Sequence, residues 1–551
     1  MIRRVYDYLQ GWKGIVLILY TCFIIGADVF ISDYSDATKT WLYLLIFAFS
    51  VLVCPAVIRL CRRLSLRYKA VLSSSRRKVL WFSGFLLISM AVFGLYYAAN
   101  YPGAFSADSF TQYKQAITGE YNNWHPVLHT LLGFTLPLSI TGGWIGSIVL
   151  FQLIAFSFAA AYAAYTILRH SSIPYALLSL AFILLSPCTA VVSMYPWKDV
   201  PFAITALLAA SYAANAWFTK GEWLKKRSHI AAVVIVLVLA TVFRHNALLF
   251  TLPMLIALIL YLKKKVAIIT AVCFVAVIVL IEGPLYAALR VEQPGDRQTE
   301  MLGVPMSVIG TVAARNPQAL DEDIKRFVYS VAPAESWTDG YVIGNFNTVK
   351  FRAGSNYHKV GEEGAPKVIG YMFRCFVKSP KEAFTGLLAA TDMAYTVTGE
   401  DKDWSELYPG IIGNDYGVTY QTDWNAKYIA GFISSRLNRC LKWLFWDVGV
   451  INLIMIVAAL SKFRFRKKAE WKRILPVLSM LLYNFGTMLL LSGEEIRLFF
   501  YTFPVMPVLL LLVMREEIKE RECAETAGEE PAEQQLSERT DRVEEPSAKS
   551  I

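Results

Sequence analysis

Residues whose side chains could do chemistry together recur in four short segments that border long apolar runs. The first segment, residues 101–129, places Asp108, Trp124 and His125 in one loop. A carboxylate near an apolar surface can have its pKa raised and can accept a proton from a hydroxyl, so Asp108 is a candidate general base. Trp124 and His125 are candidate substrate contacts. However, His125 precedes a proline, and with His129 one helical turn later it could equally only support the loop.

The other three segments contribute cations, further acids and an amide. They are MYPWKDVPF with Lys198 and Asp199, FRHNALL with Arg244, His245 and Asn246, and SGEEIRLFF with Glu494, Glu495 and Arg497. Arginine could hold a phosphate as a bidentate fork and lysine could hold it as a point charge. The acids could orient these cations, bind sugar hydroxyls or, with Asp108, surround a divalent ion such as Mg²⁺ or Mn²⁺. Carboxylates from separate loops are weak grounds for a metal site.

Each of these segments also has a purely structural interpretation. Lys198 and Asp199 could be a solvated cap at a helix start, since a proline follows two residues later. The FRHNALL segment could be a polar turn between two helices, although it interrupts about thirty apolar residues. The acids before Arg497 could lie in a surface loop, so Arg497, which leads into an apolar run, is the strongest candidate of its segment.

Membrane-spanning helices are the elements that would position these segments. Apolar residues make up 56% of the 551 residues, and apolar runs of span length recur along the whole chain. A helix of about 20 residues crosses a hydrocarbon core of about 30 Å. The pattern predicts an all-α polytopic membrane protein whose helix bundle has about 12 spans. They lie near residues 14–32, 40–60, 80–98, 144–168, 173–193, 201–218, 230–244, 247–262, 266–284, 441–461, 474–492 and 498–514. The two short runs, 230–244 and 247–262, could instead be a tilted hairpin or a partly re-entrant pair.

The distribution of lysine and arginine predicts how these spans are oriented. Basic residues concentrate in the loops 61–79, 220–227, 263–265 and 462–473. The positive-inside rule places these loops, and with them both termini, in the cytoplasm of a plasma-membrane protein. All four polar segments then fall on the extracytoplasmic face. Because the net charge of +11 is spread over such loops rather than over one patch, we expect no binding of nucleic acid.

The chain divides into four predicted regions. Residues 1–284 form a membrane region with an outward loop at 99–143, 285–440 form a mainly α-helical extracytoplasmic segment, 441–514 return to the membrane, and 515–551 are a disordered acidic tail. Within the second region we predict an amphipathic helix at 316–330 and one or two helices at 366–398, interrupted near Pro380. Cys375 and Cys440 would share the outer face, where a disulfide is possible.

The polar segments also resemble a known type of enzyme. YPGAFSADSFTQ, NNWHPVLHT, MYPWKDVPF, FRHNALL and, more weakly, SGEEIRLFFYTFP are together similar to an uncharacterised family of bacterial multi-pass proteins of the GT-C glycosyltransferase type. The resemblance implies a helix bundle that takes a sugar from a polyprenyl-phosphate carrier in the membrane lipid and transfers it, with inversion, to an extracytoplasmic acceptor of the cell envelope.

What the resemblance implies for individual residues is specific. It maps catalytic acids onto Asp108 and Asp199, and contacts to the carrier phosphate onto Lys198, Arg244 and Arg497. The sequence Ser106-Ala107-Asp108 differs from the paired-acid D-x-D form of some relatives, so the resemblance does not imply a metal.

Three other functions fit parts of the pattern. A glycan polymerase or ligase of the O-antigen type would use similar carriers but move whole chains. A secondary transporter would place its charges near the bilayer midplane on broken helices related by an internal repeat, and no such repeat is evident. A non-catalytic surface-assembly protein would tolerate the replacement of Asp108.

Overall fold

The computed structural model of the protein describes residues 11–31, 37–66, 72, 74–295, 297–397, 409–462, 468–490, 493 and 495–515. Within these ranges the secondary structure is helical, and no strand is present. Seven helices are long and apolar enough to cross a membrane, and a pair of helices bent by 53° is an eighth candidate. The protein is therefore a polytopic helical membrane protein. The sequence predicts about 12 spans, but among the described residues only these seven or eight are long and apolar enough to cross a membrane.

The first thirteen helices include six of the seven candidate spans. They are α1 (Trp12–Ile31), α2 (Ala37–Ala48), α3 (Cys54–Leu66), α4 (Ser75–Ala99), α5 (Ala107–Thr118), α6 (Val127–Thr141), α7 (Gly146–His170), α8 (Ile173–Leu185), α9 (Pro187–Val192), α10 (Asp199–Phe218), α11 (Arg227–Phe243), α12 (Leu248–Ile259) and α13 (Lys264–Ala288). A π-helical turn, Phe49–Val53, joins α2 and α3 into one span.

Three of the expected spans, 173–193, 230–244 and 247–262, differ in the structure. The run 173–193 is not one helix, because Ser186 leaves the helical conformation (φ −56°, ψ 125°) and Pro187 begins α9. A proline disfavours helical geometry in the residue before it, so this break is local in origin. The short runs 230–244 and 247–262 become α11 and α12, two apolar helices too short to count among the seven spans.

The later helices form an appended domain and a second membrane region. They are α14 (Arg297–Met301), α15 (Gly303–Arg315), α16 (Glu322–Val331), α17 (Ala334–Thr338), α18 (Asn347–Lys350), α19 (His358–Glu363), α20 (Ala365–Lys378), α21 (Pro380–Thr391), α22 (Trp424–Phe445), α23 (Val448–Lys462), α24 (Lys468–Met488) and α25 (Thr502–Met514). The appended domain, residues 302–391, has its own hydrophobic core, in which Trp337 is fully buried. Helices α16, α20 and α21 confirm the helices expected at 316–330 and 366–398, with the break at Ser379 and Pro380.

The bundle has two chemically different ends. At one end, Arg473 lies 5.5 Å from the ring centroid of Trp217, and Lys472 lies 4.3 Å from that of Tyr261. Trp217 is near the end of α10, whereas Asp199 begins this helix of 20 residues. At a rise of 1.5 Å per residue the two ends of α10 are about 30 Å apart. Trp217 and Arg473 therefore lie far from the polar segment that contains Asp199.

The remaining expectations concern two cysteines, Glu494 and the C-terminal tail. Cys375 is buried in the appended domain and Cys440 is exposed on α22, and both are free thiols. Glu494 lies outside the described residues, as does the expected disordered tail after Arg515.

Candidate functional site

The N-terminus of α5 positions Asp108. Ser106 caps this helix, and Ser106 and Ser109 form a reciprocal capping box in which each side chain accepts a backbone N–H from the other residue. Asp108 lies in the first turn, where the helix dipole favours a negative charge. Its side chain is one-third exposed. The dipole alone would explain an acid here, so the contacts of Asp108 decide whether it does more.

Arg497 joins two acids at this point. Its Nη1 donates to Asp108 Oδ2 at 2.6 Å, and its Nε donates to Glu495. Asp108 and Arg497 are 389 positions apart in the chain. The fold thus brings the first and the last polar segments into direct contact.

His125 faces the other oxygen of the same carboxylate. Its Nε2 lies 3.8 Å from Asp108 Oδ1. Burial and the positive charge of Lys198 lower the pKa of His125 to about 3, although Asp108 acts in the opposite direction. His125 is therefore neutral at physiological pH. Trp124 is half-buried beside it in the chain, and its backbone N–H donates to Asn122.

His129 supports the loop rather than facing the acid. Its Nδ1 lies 2.9 Å from Gln112 Nε2, which also donates to Thr130 Oγ1 at 3.0 Å. Gln112 is one helical turn after Asp108 on α5, so this buried contact fixes the face of α5 that carries Asp108.

A second ion pair lies next to the first. Asp199, at the start of α10, accepts from Arg244 Nη1, and both side chains are buried. Arg244 directly follows α11 and also lies 5.8 Å from the ring centroid of Tyr483. Asp199 Oδ2 is buried and has no hydrogen-bond partner among the described residues. One carboxylate oxygen thus remains available to a donor that is not part of the described chain.

The turn after Arg244 is anchored by an amide. Asn246 Oδ1 accepts from Arg244 Nε at 3.3 Å, and Asn246 Nδ2 donates to Thr487 Oγ1 at 2.7 Å. His245 is exposed. The structure therefore gives Asn246 a positioning role toward Arg244.

Lys198 lies between the two ion pairs without belonging to either. Its ammonium group makes no hydrogen bond or ion pair with a described residue, although it interacts electrostatically with Arg244, Arg497, Asp108 and Glu495. Burial, followed by the charges of Arg244 and Arg497, lowers the pKa of Lys198 to about 7. A cation in this position is poorly compensated and would gain from an anionic ligand.

The structure corrects one expectation about Asp108. Burial alone would raise its pKa, but Arg497, His125 and Lys198 together lower it to about 2. The expected rise assumed an apolar neighbourhood, whereas the carboxylate lies beside the cationic side chains of Arg497 and Lys198, which stabilise its charged form. Asp108 is therefore ionised at neutral pH and is a weak base while Arg497 holds it. We call Asp108, His125, Lys198, Asp199, Arg244, Glu495 and Arg497 the polar cluster.

Trp197 connects the parts of the polar cluster, and the sequence alone did not single it out. Its Nε1 donates to Ser106 Oγ at 2.8 Å, and its ring lies 4.8 Å from the Arg497 guanidinium. The ring of Tyr195 stacks on it at 3.9 Å, almost parallel. Trp197 thus links the cap of α5 to the arginine that holds Asp108. Trp197 stands beside Lys198 and Asp199 in MYPWKDVPF, and this position was the sequence signal. An aromatic residue beside charged residues is, however, usually interpreted as a packing residue.

The loop 409–423 covers one side of this arrangement. Gly410 donates its backbone N–H to the Tyr195 hydroxyl at 2.9 Å, and its carbonyl accepts from Phe105 N–H at 2.9 Å. Tyr416 stacks on Phe110 and meets Tyr113 edge-on. The preceding residues 398–408 lie outside the described residues.

A divalent ion would need several acidic ligands close together. Among the described ranges, which omit Glu494, no group of three or more His, Cys, Asp or Glu side chains is arranged to hold a metal ion. The described acids of the polar cluster face arginines instead. The described residues therefore do not form a recognisable metal site.

No family of known proteins matches this chain, and no curated protein or solved structure matches it either. The assignment of a function consequently depends on the polar segments and on the geometry of the polar cluster.

Two substitutions of Trp197 distinguish the contribution of its hydrogen bond from the contribution of its ring contacts. Trp197→Phe keeps a ring for Arg497 and Tyr195 but removes the hydrogen bond to Ser106, so the free energy of unfolding should fall by about 0.5–1.5 kcal/mol. Trp197→Ala should lower it by about 3–5 kcal/mol, because the buried ring is lost as well. Thermal unfolding in detergent measures both values. Equal losses for the two variants would show that the ring contacts contribute nothing.

Proposed function

We propose that the protein is an integral-membrane glycosyltransferase that takes a sugar from a polyprenyl-phosphate carrier and transfers it to an extracytoplasmic acceptor of the cell envelope. The observation that supports this proposal is the position of Lys198. Lys198 forms no ion pair with a described residue, and the two arginines Arg244 and Arg497 act on it electrostatically. It lies at one end of a bundle of apolar helices. A lipid-linked phosphate carries both an anion that can pair with Lys198 and a chain that such helices can accommodate.

The carrier phosphate would be bound by Lys198 and Arg497. Arginine can donate two parallel hydrogen bonds to a phosphate, and lysine adds a point charge. These donors would also stabilise the phosphate as it leaves the sugar, so no strong acid is needed on the leaving group. Arg244 is paired with Asp199 and would act on the phosphate through its positive charge rather than through a direct hydrogen bond.

Asp108 would act as the base toward the acceptor hydroxyl. Arg497 lowers the pKa of Asp108, so a phosphate that draws Arg497 away would make Asp108 a stronger base only when the donor is bound. The acceptor oxygen then forms a bond to the anomeric carbon while the bond from that carbon to the phosphate oxygen breaks. The hydroxyl proton passes to Asp108, and the sugar configuration inverts.

The proposal places the polar cluster outside the cytoplasm of a plasma-membrane protein, with both termini inside. The end of the bundle that carries Lys472 and Arg473 would then face the cytoplasm, as the positive-inside rule requires. Reporter fusions after Gly119 and after Lys226 measure this orientation. The Gly119 fusion should report outside and the Lys226 fusion inside, and the reverse result would remove the cluster from the compartment of the acceptor.

The reaction itself can be tested with the purified protein in nanodiscs. Each member of a panel of radiolabelled polyprenyl-phosphate sugars is supplied with cell-envelope acceptor fractions, with and without EDTA, and transfer of label is measured. We expect transfer from at least one donor, and the EDTA arm measures any metal requirement. Transfer of whole glycan chains from diphosphate carriers, without transfer of single sugars, would indicate a polymerase or ligase instead.

Lys198 should make the binding of the donor depend on pH. With a pKa of about 7, Lys198 is charged below neutral pH and loses its charge above it, so donor affinity should fall as pH rises. The decrease is at most about tenfold per pH unit because a single proton is involved. A polyprenyl-phosphate sugar is a suitable ligand because its phosphodiester does not titrate in this range.

Lys198→Arg is the matched control, because a guanidinium keeps its charge throughout this pH range. Donor binding by this variant should stay flat between pH 6 and about pH 9, where the wild type declines. The measurement is a titration of the donor by fluorescence polarisation at each pH. Parallel profiles for the two proteins would show that Lys198 does not contact the phosphate.

A further inference from the structure

Helix α20 of the appended domain carries a line of exposed apolar side chains. Ile369, Phe373 and Val377 are 38%, 61% and 79% exposed, and a spacing of four residues places them on one face of the helix. On the opposite face, Val368 and Cys375 are buried in the core of the domain. These exposed apolar side chains therefore lie on a different face of α20 from the side chains that fill the core of the domain.

The line continues onto the next helix and toward the membrane spans. Phe384 on α21 is half-exposed, and its ring meets that of Phe376 at 4.9 Å. One residue further, Thr385 Oγ1 donates to the carbonyl of Phe30 at 3.3 Å. Phe30 is one residue from the end of the span α1, and its side chain is half-exposed. The line of apolar side chains is thus continuous with the outer surface of a membrane-spanning helix.

Contacts further along α1 show where the apolar side chains lie relative to the end of this span. The ring of Tyr395 meets that of Phe23 at 4.8 Å, and the Tyr395 hydroxyl donates to the carbonyl of Leu388. Phe23 is seven residues below Phe30, or about 10 Å along the helix. Helix α21 therefore runs alongside the outermost part of α1, and Phe384, one turn before Leu388, is close to the level at which the span ends.

From this continuity we propose that Ile369, Phe373, Val377 and Phe384, here called the apolar face, rest in the interface of the lipid bilayer. A row of large apolar side chains beside a span suits the boundary between headgroups and acyl chains. Lys381, which is exposed beside this face and forms no ion pair with a described residue, would meet anionic headgroups. The appended domain would then lie flat on the membrane next to the polar cluster. This inference does not depend on the reaction that the cluster performs.

Photocrosslinking in nanodiscs tests the inference on the full chain. Benzoylphenylalanine is introduced separately at Phe373 and at Val377, in bilayers of phosphatidylethanolamine and phosphatidylglycerol, and adducts are identified by mass spectrometry. Ile268, exposed on span α13, is the lipid-facing reference, and Glu322, exposed on α16 of the same domain, is the matched control. All four positions are exposed, so the substitutions should leave the fold intact.

We expect lipid adducts at 373 and 377 in yields comparable to those at 268, with none at 322. In addition, Lys381→Gln should lower the yield of phosphatidylglycerol adducts at 377. Lipid adducts at 268 but none at 373 or 377 would overturn the inference. Covalent dimers at 373 or 377 would overturn it as well, because the face would then be an interface between two copies of the chain.

Discussion

Replacement of Asp108 by asparagine is expected to lower the rate of sugar transfer by about 10²–10⁴-fold, the usual contribution of a general base. Asparagine has the same shape and can keep the helix start, but it cannot take the acceptor proton. Arg497 would keep its contact with Glu495, so the effect on folding should be small. The measurement is the initial rate of transfer from the polyprenyl-phosphate sugar that the wild type accepts, at saturating donor.

Glu335→Gln is a matched control for this variant. Glu335 is also an acid in the first turn of a helix, but it is exposed on α17 in the appended domain. Its loss removes the same interaction with a helix dipole. We expect this variant to transfer sugar at the wild-type rate. A wild-type rate in Asp108→Asn would instead show that Asp108 only starts α5.

Breaking the buried pair of Asp199 and Arg244 should have a large effect on stability. Asp199→Ala or Arg244→Ala should each lower the free energy of unfolding by about 3–5 kcal/mol, because each leaves an uncompensated buried charge. The double variant Asp199→Leu with Arg244→Met should recover most of this loss, since both charges are then absent. Thermal unfolding in detergent and yield in the membrane fraction measure the effect.

Lys198→Met provides the comparison for these variants. Lys198 forms no ion pair with a described residue, so its removal leaves no described partner unpaired, and the protein should unfold near the wild-type temperature. If Arg244→Ala were no more destabilising than Lys198→Met, the pair with Asp199 would not stabilise the fold. A double variant that folds but binds the donor weakly would show that the charge of Arg244 is needed for the ligand.

Local sequence patterns predicted much of the secondary structure. Helices α16, α20 and α21 follow from the spacing of apolar residues, and their break at Ser379 and Pro380 follows from proline geometry. The same rule could have divided the run 173–193 at Pro187, but its high hydropathy outweighed the proline. How the appended domain lies against α1 was not predictable, because it depends on contacts such as that of Thr385 with Phe30.

The residues of the candidate site were predictable, but their pairing was not. Asp108 and Arg497 were selected by residue type and by their position beside apolar runs, and the fold brings them within 2.6 Å. Which acid pairs with which arginine depends on helix packing over hundreds of residues. The direction of the Asp108 pKa shift depends on that pairing, and the expectation of a raised pKa was wrong for this reason. The link through Trp197 was equally invisible, because it needs the positions of Ser106 and Arg497 together.

The binding of the carrier itself tests the central proposal most directly. Purified wild-type protein in nanodiscs is titrated with a polyprenyl phosphate and with the matching polyprenol, which lacks the phosphate, at pH 6, where Lys198 is charged. We expect the phosphate to bind at least tenfold more tightly than the polyprenol, and Lys198→Met to remove most of this preference; tenfold corresponds to about 1.4 kcal/mol. Equal affinities of the wild type for the two lipids would contradict the proposal that the polar cluster binds a lipid-linked phosphate.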